Sequence, residues 1–135
     1  MTREMWRERW LDSLNQLTSL DLQIKSWLDK ENTNPHWSFV EFMSTYFDDL
    51  SVVDNYEYVL NNGWITGQEF RIIKEWHEAL NKYNSPDNDD YDNEAILHDQ
   101  KWLAIVNMGQ TLREELKNML TADEIRILTA EKNVA

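Results

Sequence analysis

The feature that most constrains this chain is a three- and four-residue spacing of apolar side chains that runs almost from end to end. In the first segment Trp6, Trp10, Leu14, Leu17, Leu20, Ile24, Trp27 and Leu28 recur at that step, which places them on one stripe of an α-helix. The spacing predicts one long helix over 2–28, broken at most once, at Thr18-Ser19. The strict alternation that a half-buried strand needs is nearly absent, so the chain reads as all-α.

Capping chemistry divides the remainder. Asn34-Pro35 sets a capping side chain directly before a proline suited to the first helical position. A second helix is expected to start there, with Phe39, Val40, Met43, Tyr46, Phe47 and Leu50 as its apolar stripe and its end near Asp49 or Leu50. Asp54 reads as the cap of a short helix through Leu60, and Asn62-Gly63 supplies the left-handed residue that stops it. The sharpest local signals are two capping boxes. Thr66 is followed three residues on by Glu69, and Thr121 by Glu124. Each box is flanked by a hydrophobic staple, Ile65 with Phe70 and Leu120 with Ile125. The two continue alike as Arg71-Ile72-Ile73 and Arg126-Ile127-Leu128, an echo that capping alone accounts for.

The helix opened by Thr66 is expected to reach about Tyr83, with Phe70, Ile73, Trp76, Leu80 and Tyr83 inward, and Ser85-Pro86 ends it. Residues 86–93 read as an acidic loop, followed by a short helical turn over 94–98. Asp99 caps the next helix, whose stripe is Trp102, Ile105, Val106, Leu112, Leu116 and Leu120. Gly109 falls on that stripe, where its helix penalty of about 1 kcal/mol implies the close approach of a neighbouring helix. Residues 132–135 read as a frayed tail. The expectation is a single domain over 1–135, an irregular bundle of about five to seven helices.

The chain has no cysteine, which excludes disulfides, thiolate zinc sites and cysteine nucleophiles. No apolar run approaches the roughly 20 residues of a membrane span, and the first ten residues are charged, unlike a signal peptide. A cytoplasmic protein without membrane contact is expected. Its formal net charge is −12, and the distribution matters more than the size. Residues 31–70 contain no Lys or Arg but carry Glu31, Glu41, Asp48, Asp49, Asp54, Glu57 and Glu69; residues 83–100 contain none either and carry Asp87, Asp89, Asp90, Asp92, Glu94 and Asp99. Elsewhere acids and bases nearly balance. Such segregation argues against a nucleic-acid partner, which needs clustered bases for its phosphates, and favours a cationic one.

Catalytic and metal motifs are missing at the level of sequence. Glu94 and His98 stand four apart on one helical face, within reach of Asp90, Asp92 or Asp99, but no paired histidine motif accompanies them. The acidic loop places Asp87, Asp89 and Tyr91 at the first, third and fifth positions of a calcium loop. It then has Asp92 where a glycine is required and His98 where a bidentate Glu is required. Glu75, His77 and Glu78 could supply an acid and a base, yet nothing joins them to a nucleophile or a phosphate loop. His77 reads as a boundary residue beside Trp76. No cofactor and no enzymatic activity are expected.

Seven Trp, five Tyr and four Phe are many for 135 residues, and most fall on the helical stripes. Tyr56, Tyr58, Tyr83 and Tyr91 instead lie in or beside the base-free segments, and Trp64 follows the Asn62-Gly63 stop. Exposed aromatics among carboxylates have the composition of a binding hot spot for an Arg- or Lys-rich partner. The predicted contact is Asp87, Asp89, Asp90, Tyr91, Asp92 and Glu94, with Asp48, Asp49, Asp54, Tyr56 and Glu57 as a second patch. In character the chain resembles small acidic bacterial inhibitors, immunity proteins and antitoxins, that dock on a basic toxin such as a nuclease. The alternatives are an adaptor, regulator or structural helical module without a toxin partner, and a small metal-binding protein or enzyme.

Overall fold

The computed structural model describes residues 1–29, 31 and 37–132. Among them there are eight α-helices and no strand. The predicted first helix is broken where expected. α1 (Arg3–Thr18) and α2 (Leu20–Trp27) meet at Ser19, whose hydroxyl accepts from the Leu22 amide and caps α2. The stripe does not stay inward through α2, because the break rotates its register: Leu22 and Trp27 are buried, whereas Ile24 and Leu28 are exposed.

The start expected at Asn34-Pro35 lies outside the described residues, as do 133–135 of the expected tail. α3 (Phe39–Ser44) is described from a cap at Ser38 and runs directly into a π-helical turn (Thr45–Asp49). After it, Ser51, Asn55 and Tyr56 all adopt positive φ, so the short helix begins later than Asp54 implies, as α4 (Glu57–Asn61). Asp54 still serves its start from outside, accepting the Tyr58 amide. Gly63, at φ +71, ends the element. α5 (Gly67–Lys82), α6 (Asn93–Leu97), α7 (Gln100–Leu116) and α8 (Ala122–Thr129) follow the predicted order, and both capping boxes form in full. The eighth helix comes from the break at Ser19, which divides the first predicted helix into α1 and α2.

Helix α1 is the centre of the bundle, packed against α2, α3, α7 and α8, while α5 packs along α7. Gly109 lies where α7 crosses the end of α1. A Cβ there would fall inside van der Waals contact with the Thr18 methyl and 3.1 Å from Trp76 Nε1. The core is aromatic-rich: Trp6, Trp10, Trp76, Trp102, Tyr46, Tyr56 and Phe42 are all essentially solvent-free.

Two polar systems run through this core. Arg7 of α1 is 4% exposed. Its guanidinium donates to Glu69 in a fork at 3.0 and 2.6 Å, to Glu124 at 2.6 Å and to the Trp64 carbonyl at 3.0 Å. The same two glutamates close the capping boxes of α5 and α8. The sequence echo around Thr66 and Thr121 is therefore more than capping, because both boxes converge on one buried cation that ties three helices together. Burial opposes the charge on Arg7, but the two carboxylates outweigh it and raise its pKa. Burial likewise works against the Glu124 carboxylate, and its bonds to Arg7 and to the Thr121 amide hold it below the usual range. In the second system Trp10 Nε1 donates to the Tyr56 hydroxyl at 3.0 Å, which bonds Tyr46, which bonds His77 Nδ1 at 2.7 Å. Donation in the single direction Trp10, Tyr56, Tyr46, His77 satisfies every hydroxyl and leaves the imidazole proton on Nε2.

Candidate functional site

The acidic loop is built from its two ends inward. At its base Tyr83 closes α5, packs edge-on against Phe39 and at a tilt against Trp102, and donates its hydroxyl to Asp99 at 2.8 Å. Burial and that carboxylate both push the Tyr83 phenol up. On the far side Asn93 accepts the Phe39 amide at 3.2 Å, which clips the loop's exit to the start of α3. Between these anchors Pro86 opens a single 3₁₀ turn over Pro86–Asn88. Asp87 and Asn88 both sit at φ +56, a left-handed conformation that Asp and Asn tolerate best among residues with a side chain.

Side chains then brace the turn. The buried Ser85 hydroxyl donates to Asp90 at 2.6 Å, Asp89 accepts the Tyr91 amide at 3.0 Å, and Asp92 accepts the Ala95 amide at 3.1 Å and so caps α6. One carboxylate oxygen of each of these aspartates is used locally, and the residues themselves remain exposed. Asp87 and Glu94 are exposed as well, and Tyr91, at 82%, is the most exposed of the large apolar side chains. The result is a braced segment that exposes five carboxylates and one tyrosine within eight residues.

The second patch differs from its expected form. Asp48, Asp49, Asp54 and Glu57 are exposed, but Tyr56 is not on the surface. Its ring is fully buried and its hydroxyl joins the Trp10–Tyr46–His77 chain, which offsets the left-handed backbone that brings it there. The aromatic exposed in this patch is Tyr58, at 51%, beside Val53, at 58%. The signal for Tyr56 was present: with Val52 and Val59, both buried, it keeps the four- and three-residue spacing of an inward stripe. Glu69, counted among the carboxylates of the base-free segment, is likewise buried on Arg7. Asp48 and Asp49 close the helical segment that Phe39 opens, roughly 15 Å along its axis from the clip to Asn93. The two patches therefore stand at opposite ends of that segment.

His77 is also misplaced by the sequence reading. It is fully buried rather than at a boundary, and burial pushes its pKa down to about 4 despite the opposing fields of Glu78 and Asp54. It lies four residues after Ile73 and three before Leu80, on the inward stripe of α5. Trp64 is half-buried against Trp6 and Tyr58. On α6, His98 is exposed and its Nδ1 is engaged with the Glu94 backbone carbonyl at 2.8 Å. No cluster of three or more metal-ligating side chains occurs among the described residues. No described helix is long and apolar enough to cross a membrane.

No protein-family model, curated protein or solved structure matches this chain, so its functional reading rests on its own residues.

Proposed function

We infer that the chain is an acidic protein-binding module of the immunity or antitoxin type, a cytoplasmic bacterial inhibitor that docks on a basic toxin such as a nuclease and blocks it. The observation that carries this reading is the braced loop over 86–92, which exposes Asp87, Asp89, Asp90 and Asp92 together with Tyr91. A nuclease must keep a positive groove for phosphate. A surface of fixed carboxylates fits that groove, and a tyrosine supplies buried area with little entropy to lose. Bracing matters because a loop already held in its bound shape avoids the cost of ordering on association.

Affinity capture on the intact chain at low and at high salt, with identification of the retained proteins, tests the reading. The expected result is one basic protein held at low salt, toxic when expressed alone and harmless when co-expressed with this chain. The double substitution Asp87→Asn and Asp89→Asn keeps the local acceptors and removes two charges. It should slow association by about tenfold at low salt. Retention of no basic protein, or an association rate that ignores both salt and the double substitution, overturns the proposal.

A further inference from the structure

A second surface has the opposite chemistry. Helices α5 and α7 run antiparallel, and their outward faces leave a groove with two hollows of about 540 and 390 Å³, both lined by Met108. Its apolar residues include Ile72, Ala79, Ala104 and Met108, the last 39% exposed. Its borders carry Arg71 and Lys74 at one end and Lys82 and Lys101 at the other, against Glu75 and Glu115. In a chain with 25 acids and 13 bases, most described bases find an acid or a carbonyl. Five described bases, Arg9 and these four, make no ion pair or side-chain hydrogen bond among the described residues, and four of the five line one groove.

We propose that the α5–α7 groove binds an acidic amphipathic helix of a partner protein. Charge complementarity names the occupant: the groove is locally cationic on a molecule of net charge −12, so an acidic segment finds there what the rest of the surface repels. Geometry sets its size. Arg71 to Lys82 spans roughly 16 Å of helix, which matches three turns of a third helix laid between α5 and α7. Apolar side chains of that helix pack on Ile72, Ala104 and Met108, whose flexible thioether adapts to them, while its flanking carboxylates reach the lysines and Arg71. The inference uses none of the acidic loop and stands apart from the inhibitor reading.

The test titrates the isotope-labelled full chain with a synthetic helical peptide of about four turns bearing Leu at three- and four-residue spacing and Glu on both flanks. A matched peptide has Lys in place of Glu. The expected result is a shift of the Met108 methyl and of Ile72 and Ala104 with the Glu peptide alone, weakened about tenfold by Lys74→Glu with Lys82→Glu. All four cations are exposed, so these variants keep the fold; Ala104→Arg, which fills the groove, is a second variant expected to abolish the shift. Equal response to both peptides, shifts elsewhere on the molecule, or no response at millimolar peptide overturns the proposal. Concentration-dependent shifts of the same residues without peptide assign the groove to a second copy of the chain and also overturn it.

Discussion

Replacing Arg7 by Met removes the one cation that two buried or part-buried carboxylates share. Glu69 is 1% exposed and would keep its bond from the Thr66 amide while losing both donors of the guanidinium fork. Leaving a buried charge without its partner costs about 3–5 kcal/mol, a large part of the total stability of about 5–15 kcal/mol usual for such a domain. With an unfolding entropy of about 2.1 cal/mol/K per residue, each kcal/mol moves the Tm of 135 residues by roughly 3.5 °C. Arg7→Met should therefore lower Tm by about 10–18 °C. Glu124, whose side chain is 20% exposed, loses less, and Glu124→Gln alone should cost about 1–2 kcal/mol. The decisive variant is Arg7→Met with Glu69→Gln, which removes the orphaned charge and should recover about 1–2 kcal/mol relative to Arg7→Met. Urea unfolding followed by tryptophan fluorescence reads all of these, since Trp6 and Trp10 lie beside Arg7 in the buried core. A loss under about 1 kcal/mol for Arg7→Met, or a double variant no more stable than the single one, would refute the claim that this cation holds α1, α5 and α8 together.

Three further outcomes can be checked on the same material. Gly109→Ala should destabilise by about 1–2 kcal/mol, because overpacking against the Thr18 methyl exceeds the helix gain. Adding Thr18→Ser, which deletes that methyl and keeps the hydroxyl's bond to the Leu14 carbonyl, should restore much of it in a thermal melt. His77 titrates near 6.5 when unfolded and about 4 when folded. The unfolded chain therefore binds the proton first, and stability should fall by about 3 kcal/mol as pH drops from about 6.5 to about 4, with no further loss from this group below that. Replacing His77 by Gln should flatten that part of the stability–pH curve measured by urea unfolding. Tyr91→Ala, at an exposed side chain, should leave Tm unchanged within about 1 °C while accelerating dissociation of the captured partner in surface binding kinetics.

Much of the architecture was legible in the sequence because its determinants are local. The break at Ser19, both capping boxes, the stop at Gly63, the cap at Asp99 and the close approach at Gly109 each depend on a few neighbouring residues. What was not legible is non-local. Arg7 looks like one more surface base until α5 and α8 deliver Glu69 and Glu124 to it from 62 and 117 residues away. Tyr56 and His77 keep an inward helical spacing, but the partners that satisfy their polar atoms in the core, Trp10 and Tyr46, come from other elements. The acidic loop was readable as exposed and charged, whereas its bracing by Ser85, Asn93 and Tyr83 needed the fold. The cationic groove was missed because Arg71, Lys74, Lys82 and Lys101 are spread over 31 positions and meet only where α5 and α7 pack.

Hydrogen exchange of the chain alone and in complex with the basic protein it captures tests the central claim most directly, because it locates the contact without altering a residue. Protection concentrated on the amides of residues 87–92, with the α5–α7 groove and the second acidic patch unchanged, is the predicted footprint. Unchanged exchange across 87–92 in a complex that protects another surface would contradict the assignment of this loop as the docking site.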